Sequence, residues 1–496
     1  MGRDAQSAFN MVRRTHVREL LKKWPEVQRW IDDWLSPRTF RMEVDGEDLG
    51  EVTMTGGTPQ GSPLSPALYT IYMSSVVWTA EEKLRTRVGG RSLRGERRAN
   101  YWPLSYIDDV NGVRIGGERE MDDALESAGQ IAGVKWDREK NWRGNKGKHL
   151  GVVMQDQRRH QKYRCQKTKA AWEVVKRLGK LPTRGKRAIL TQQLLPMLTY
   201  GCELYLVPSE QQSRLAYEMY RWTVGAYPGS RKDKVQALVG LEGIEEIMRN
   251  KRIRWAGSVY ARHMPELRAI AEPILKEAIG EEAEMRWMEG EKRERKAEVQ
   301  IRELVVEEVD EWTDGSRIEG RAAGGTREKG IYLGEWATVA DAEAAGVMLA
   351  WESGNDVVGL DSQGVIQRIH QLAWEKPRSW IEERLVKGMS ERPRTLMWVK
   401  GHNGVKGNEQ ADRMARRTVE MGWRLHEKDI VTPAGIKQQF PVYPKAPAHI
   451  KWSRAAVRGL VYMVTKGHND SGYGKLGRAR KDSVYVTGGR HRTLHI

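Results

Sequence analysis

Residues 394–417 read "RTLMWVKGHNGVKGNEQADRMARR". The stretch divides into three. A short apolar run has the length and composition of a strand. The glycine-dense "GHNGVKG" that follows marks a loop and carries His402. A helix then bears Asp412, and Asn408 lies one helical turn before it, on the same face. A strand, a loop and a helix therefore bring a histidine, an amide and a carboxylate into one neighbourhood.

Upstream, three more acids stand at comparable places. "DVVGLDSQGVIQRIHQLAW" (356–374) is a buried-type strand ending in Asp361, followed by a helix. "ADAEAAGVMLAWESG" (340–354) is helical, with Glu343 flanked by small residues. "EWTDGSRIEG" (311–320) puts Asp314 at the end of a short strand before a turn, and "GRAAGGT" and "KGIYLGEWATV" read as two further strands of a meander. A single acid at a strand end has an ordinary explanation, because Asp favours turns and helix caps. Four acids, each at the end of a different element, are harder to explain that way. Converging on one cleft, they would hold two Mg2+ ions for attack of water on a phosphodiester.

Residues 305–422 resemble a type-1 ribonuclease H along the whole domain, and the string "GHNGVKGNEQAD" is specific to that likeness. The resemblance implies a metal-binding quartet of Asp314, Glu343, Asp361 and Asp412. It implies that His402 assists proton transfer and product release, whereas a lone histidine is more often structural. Ser316 and Ser362, just after their acids, are expected to touch the RNA strand. The implied substrate is an RNA–DNA hybrid, read by shape through its 2′-hydroxyls rather than by sequence.

A second constellation lies earlier. "LSYIDDV" (104–110) sets Asp108 and Asp109 inside an apolar, β-prone stretch, where ionised carboxylates need a positive partner. The turn cluster "GTPQGSPLSPALY" (57–69) brings backbone amides and Gln60 where a ligand can approach. With "DAQSAFN" (4–10), "GVKWDREKN" (133–141) and "HLGVVM" (149–154), these stretches resemble, in order, the polymerase palm of reverse transcriptases, particularly those of non-LTR retrotransposons. The resemblance implies Asp4, Asp108 and Asp109 as ligands of two further Mg2+ ions, with Mn2+ as a substitute. It implies Gln60 and Gly61 beside the incoming nucleotide, Lys140 near its triphosphate, and a primer grip at 149–154. RNA template, DNA primer and deoxynucleoside triphosphates are the implied partners. Asp4 comes three residues after the start, so the fingers are expected to be absent and polymerisation is in doubt in this chain.

The rest of the sequence agrees with a polyanionic partner. The chain has 496 residues, 84 Lys plus Arg against 66 Asp plus Glu, and a net charge of +18. Two cysteines are too few for a disulfide framework or a zinc knuckle. No apolar run suggests a membrane span and the start lacks a signal peptide, so cytoplasm or nucleus is expected. No phosphate-binding P-loop or HExxH pair occurs. The expected fold is an α+β palm (1–155) with a helical thumb or connection (156–273). A charged linker helix (274–304), an α/β ribonuclease H-like domain with a mixed sheet flanked by helices (305–422), and a basic, glycine-containing, partly disordered tail (423–496) follow. The expected activity is Mg2+-dependent endonucleolytic cleavage of the RNA strand of hybrids. The alternative is a non-catalytic nucleic-acid-binding remnant of a retroelement.

Overall fold

The structure is a computed structural model. It describes residues 2–464 except 6–7, 45–46, 55, 60–61, 88–100, 107–108, 115–118, 138–147, 150–151, 154–155, 179–180, 205–206, 261–264, 287, 289–298, 303–305, 402–403, 454–455, 458 and 462–463. The chain forms two compact units, residues 1–163 and 164–496.

The first unit opens with β1 (Gly2–Asp4) and a 3-10 turn (Ala8–Met11), followed by α1 (Arg14–Leu21) and α2 (Pro25–Trp34). Pro25 has no N–H to give, so it divides the helical pattern and takes the first position of α2. β2 (Arg38–Val44) and β3 (Glu47–Met54) form an antiparallel hairpin. The 24-residue α3 (Leu64–Arg87) leads to β4 (Tyr101–Tyr106), β5 (Asp109–Arg114) and α4 (Arg119–Ala132). A two-rung hairpin of β6 (Lys148–His149) and β7 (Val152–Val153) follows. β5 is the centre of a three-stranded antiparallel sheet, ordered β1-β5-β4. Tyr69, Tyr72, Met73 and Val76 of α3 pack with Leu125 of α4 and Val17 of α1 to form the core.

The helical part of the second unit takes up α5 (Gln157–Arg177) from Arg164 and continues through α6 (Thr183–Ile189), a π-helical turn (Leu190–Leu194) and α7 (Leu195–Leu198). α8 (Glu210–Val224), α9 (Lys232–Val239), α10 (Ile244–Tyr260) and α11 (Pro265–Ile279) complete it. Ser209 and Gln212 close a capping box on α8, and Gly225 ends that helix in the left-handed conformation. The segment beyond α11 differs from the linker helix expected over 274–304. The helix stops at Ile279, before Gly280 at φ +95°, and β8 (Val299–Ile301) joins a sheet.

That sheet has six strands ordered β11-β10-β9-β12-β13-β8. β9 (Glu311–Ile318), β10 (Arg321–Thr326) and β11 (Gly330–Gly334) are the antiparallel meander. α12 (Val339–Glu352), β12 (Val357–Leu360), α13 (Gln363–Gln371), α14 (Trp380–Glu391), β13 (Arg394–Trp398) and α15 (Lys406–Arg424) follow, with β12, β13 and β8 parallel. Gly324 lies against Ala342 of α12, and its neighbour Gly325 against Ala415 of α15. Successive strand residues point to opposite faces, so α12 and α15 sandwich the sheet.

The described part of the tail packs against the helical region. α16 (Pro433–Gln439) inserts Ile436 beside Gly257 of α10. Val442, Ile450, Val457 and Val461 then enter one core with Leu194, Met219 and Tyr220 of the helical region. Residues 465–496 lie outside the described residues.

Candidate active site

Four acids reach one end of the six-stranded sheet on four elements. Asp314 stands within β9, Glu343 in the second turn of α12, Asp361 just past β12, and Asp412 in α15. The close fit of α12 to β9 depends on Gly315: a Cβ there would strike the Glu343 backbone N–H. Glycine thus lets the helix bearing Glu343 settle directly beside Asp314.

The four charges feel one another. Burial, chiefly, and then Asp361, Asp412 and Glu343 push the Asp314 carboxyl up to about 7, against a hydrogen bond from the Gly315 N–H at 2.7 Å. Glu343 is raised by burial and by Asp361, and is partly relieved by a hydrogen bond from Ser362. Arg416, one turn along α15, donates Nε to Asp412 Oδ1 at 2.9 Å. Asn408 is only 6% exposed. Its Nδ2 donates to Asp361 Oδ2 at 3.4 Å, while its buried Oδ1 has no hydrogen-bond partner.

This set fits a divalent cation in its chemistry: oxygen donors, mutual repulsion awaiting a positive charge, and an orphaned carbonyl oxygen among them. Among the described residues, no three acidic, histidine or cysteine side chains are grouped closely enough to hold a metal ion as they stand. Ser362 turns to Glu343, and Ser316 follows Asp314 by two residues on the same face of β9. His402 lies outside the described residues.

In the first unit the backbone brings two of the expected palm acids together. β1 pairs with β5 so that Asp4 stands opposite Asp109. Arg3 fixes the short strand from the other side. Its buried guanidinium pairs with Asp122 at 2.7 Å and with Glu126, and lies over the Trp136 ring. The turn before Gln60 is tied back to the Asp4 segment by Thr58 N–H on the Phe9 carbonyl at 2.8 Å and by Arg14 on the Gly57 carbonyl at 3.1 Å. Asp108, Gln60, Gly61 and Lys140 lie outside the described residues.

Known families match both regions. A family model described as reverse transcriptase (RNA-dependent DNA polymerase) matches residues 2–133, and one described as RNase H matches residues 307–420. The chain carries a reverse-transcriptase domain followed by a ribonuclease H domain. This is the order of a retroelement protein. The chain matches no curated protein.

The ribonuclease H match excludes two segments that complete the fold. β8 pairs with β13 at one edge of the sheet, and Ile430 N–H bonds the Leu333 carbonyl of β11 at the other. Inside the domain, the sequence reading passed over Trp398, Gly401 and Arg416, all of which touch the acids. For Arg416 the four-residue spacing from Asp412 was a readable signal. For Trp398 and Gly401, no sequence periodicity distinguishes such a contact from ordinary packing.

Proposed function

We propose that the chain is a non-LTR retroelement reverse transcriptase/ribonuclease H. Its best-supported chemistry is Mg2+-dependent endonucleolytic hydrolysis of the RNA strand of RNA–DNA hybrids. One observation carries this reading: four carboxylates from four elements repel one another around Asp314, beside an unpartnered buried amide oxygen. Two divalent ions held there would activate water and stabilise the leaving oxygen. Asp314, Glu343, Asp361 and Asp412 would be their ligands. Asn408 orients Asp361, Ser362 orients Glu343, and Arg416 holds Asp412 until it is needed. His402, in the loop between β13 and α15, would assist proton transfer. The net charge of +18 supports salt-sensitive binding of the hybrid without base preference.

Residues 1–155 are then a palm and 156–273 a thumb or connection. The backbone pairing of Asp4 with Asp109 supports a polymerase site that would also use Asp108, Mg2+, Gln60, Gly61 and Lys140, with RNA template, DNA primer and deoxynucleoside triphosphates. Among the described residues no helix is long and apolar enough to cross a membrane. A second reading, a nucleic-acid-binding remnant without catalysis, draws on the ungathered acids and the Arg416–Asp412 pair.

The deciding experiment is cleavage of a labelled RNA–DNA hybrid by the full chain in Mg2+, beside Asp314→Asn. Cleavage of the RNA strand alone, lost in the variant, is the expected result. Tight binding without cleavage would establish the remnant instead.

A further inference from the structure

Asp361 is approached by three groups. The indole Nε1 of Trp398 donates to its main-chain carbonyl at 2.9 Å. The Asn408 amide reaches its Oδ2 at 3.4 Å. Gly401 lies so near that a Cβ there would stand 2.6 Å from the same oxygen.

The first contact extends the sheet. β12 and β13 are parallel with Leu360 opposite Trp398, and Val399 N–H bonds the Leu360 carbonyl at 3.0 Å. The indole N–H then supplies the next rung, to Asp361, from a side chain. Trp398 is otherwise poorly used: 43% of it is exposed, whereas its strand neighbours Leu396 and Met397 are buried. A tryptophan kept for packing hides its ring. This one leaves the ring open and spends its N–H on the residue that carries a carboxylate.

We propose that Trp398 is a positioning residue of the nuclease, its indole N–H fixing the Asp361 turn so that the carboxylate meets the divalent cation already in place. The assignment rests on the ribonuclease H reading. Asn408 and Gly401 complete the same cradle, one as a donor and the other by leaving room.

The test uses the full chain and Trp398→Phe, which keeps an aromatic ring and removes the donor, beside Trp398→Ala. Mn2+ affinity is measured by calorimetry without nucleic acid, hybrid affinity in Ca2+, and cleavage across a Mg2+ series. Losing one neutral hydrogen bond should weaken Mn2+ binding by about three- to tenfold and raise the half-maximal Mg2+ by a similar factor. Hybrid affinity should stay at wild type. Gly401→Ala, crowding Oδ2 from another side, should weaken Mn2+ in the same way; if the phenylalanine variant does not fold, wild-type Mn2+ affinity in Gly401→Ala would overturn the proposal, because the placing of the Asp361 carboxylate would then not govern the cation.

Wild-type Mn2+ affinity in Trp398→Phe together with a defect in Trp398→Ala would overturn the proposal, because the ring and not the N–H would then matter. Reduced hybrid affinity at unchanged Mn2+ affinity would overturn it too, making Trp398 a substrate contact. A wild-type chain that neither binds Mn2+ nor cleaves would sink the ribonuclease H reading itself. A cleaving wild type with an unaltered phenylalanine variant would sink only this inference.

Discussion

Two buried charges show how differently single residues are treated. Arg3 is buried with its counter-charges in place, Asp122 and Glu126, and a ring beneath it. Removing one partner of such a group would leave a buried charge unpaired. Burial first, and then the like charges around it, push the Asp314 carboxyl up to about 7. The folded chain thus binds this proton more tightly than the unfolded chain does. The ionised carboxylate therefore destabilises the metal-free fold in full above pH 7, and the penalty fades as pH falls toward 4. Asp314→Asn should raise metal-free stability at pH 8 by on the order of 1–3 kcal/mol and match wild type near pH 4. Thermal unfolding in EDTA at the two pH values checks this. A variant no more stable than wild type at pH 8 would mean that neither burial nor the neighbouring charges raise the Asp314 carboxyl.

Among the elements, the sheet edges are where the sequence was least legible. Of the acids, only Asp361 sits where cap chemistry ends an element, before Ser362 and Gln363; the short strand and turn expected at Asp314 are instead one strand that runs on to Ile318, because Gly315 and Ser316 keep pairing with β10. β8 could not be read. It is three residues long, only Val299 of it is buried, and its register is set by β13. Charge patterning over 274–304 reports solvent exposure, which an edge strand and a surface helix share. Yet β8 closes an otherwise open parallel edge, and Arg302 N–H continues the pairing to the Leu396 carbonyl at 3.1 Å. Arg302→Pro removes that donor and should cost the ribonuclease H domain about 1–3 kcal/mol, although it lies outside the matched family region. Urea unfolding of the variant checks it, and a loss under about 0.5 kcal/mol would make β8 an ornament.

At the scale of the whole molecule, the return of the C-terminal segment is what the sequence hid. Periodicity reports neighbours three or four residues away, whereas Asn250 donates to the Pro441 carbonyl across 191 residues and Arg187 to that of Pro444 across 257. The same segment reaches the nuclease, where the Thr432 hydroxyl donates to Asp341 Oδ2 at 2.8 Å. Helical region and nuclease consequently share one compact unit, stitched by residues 430–461. Gly240 is a seam in that stitching. It ends α9 at φ +67°, and a Cβ there would strike the Pro447 ring. Gly240→Ala adds left-handed strain to that clash, and we expect it to cost about 1–3 kcal/mol and to lift Val442 and Ile450 from their core. Limited proteolysis should then cut within 441–464 sooner than in wild type. Because the nuclease is tied to the same segment, its hydrogen-exchange protection at β11, where Ile430 bonds Leu333, should fall as well. Faster cutting with unchanged β11 protection would mean that the two halves of the unit unfold independently.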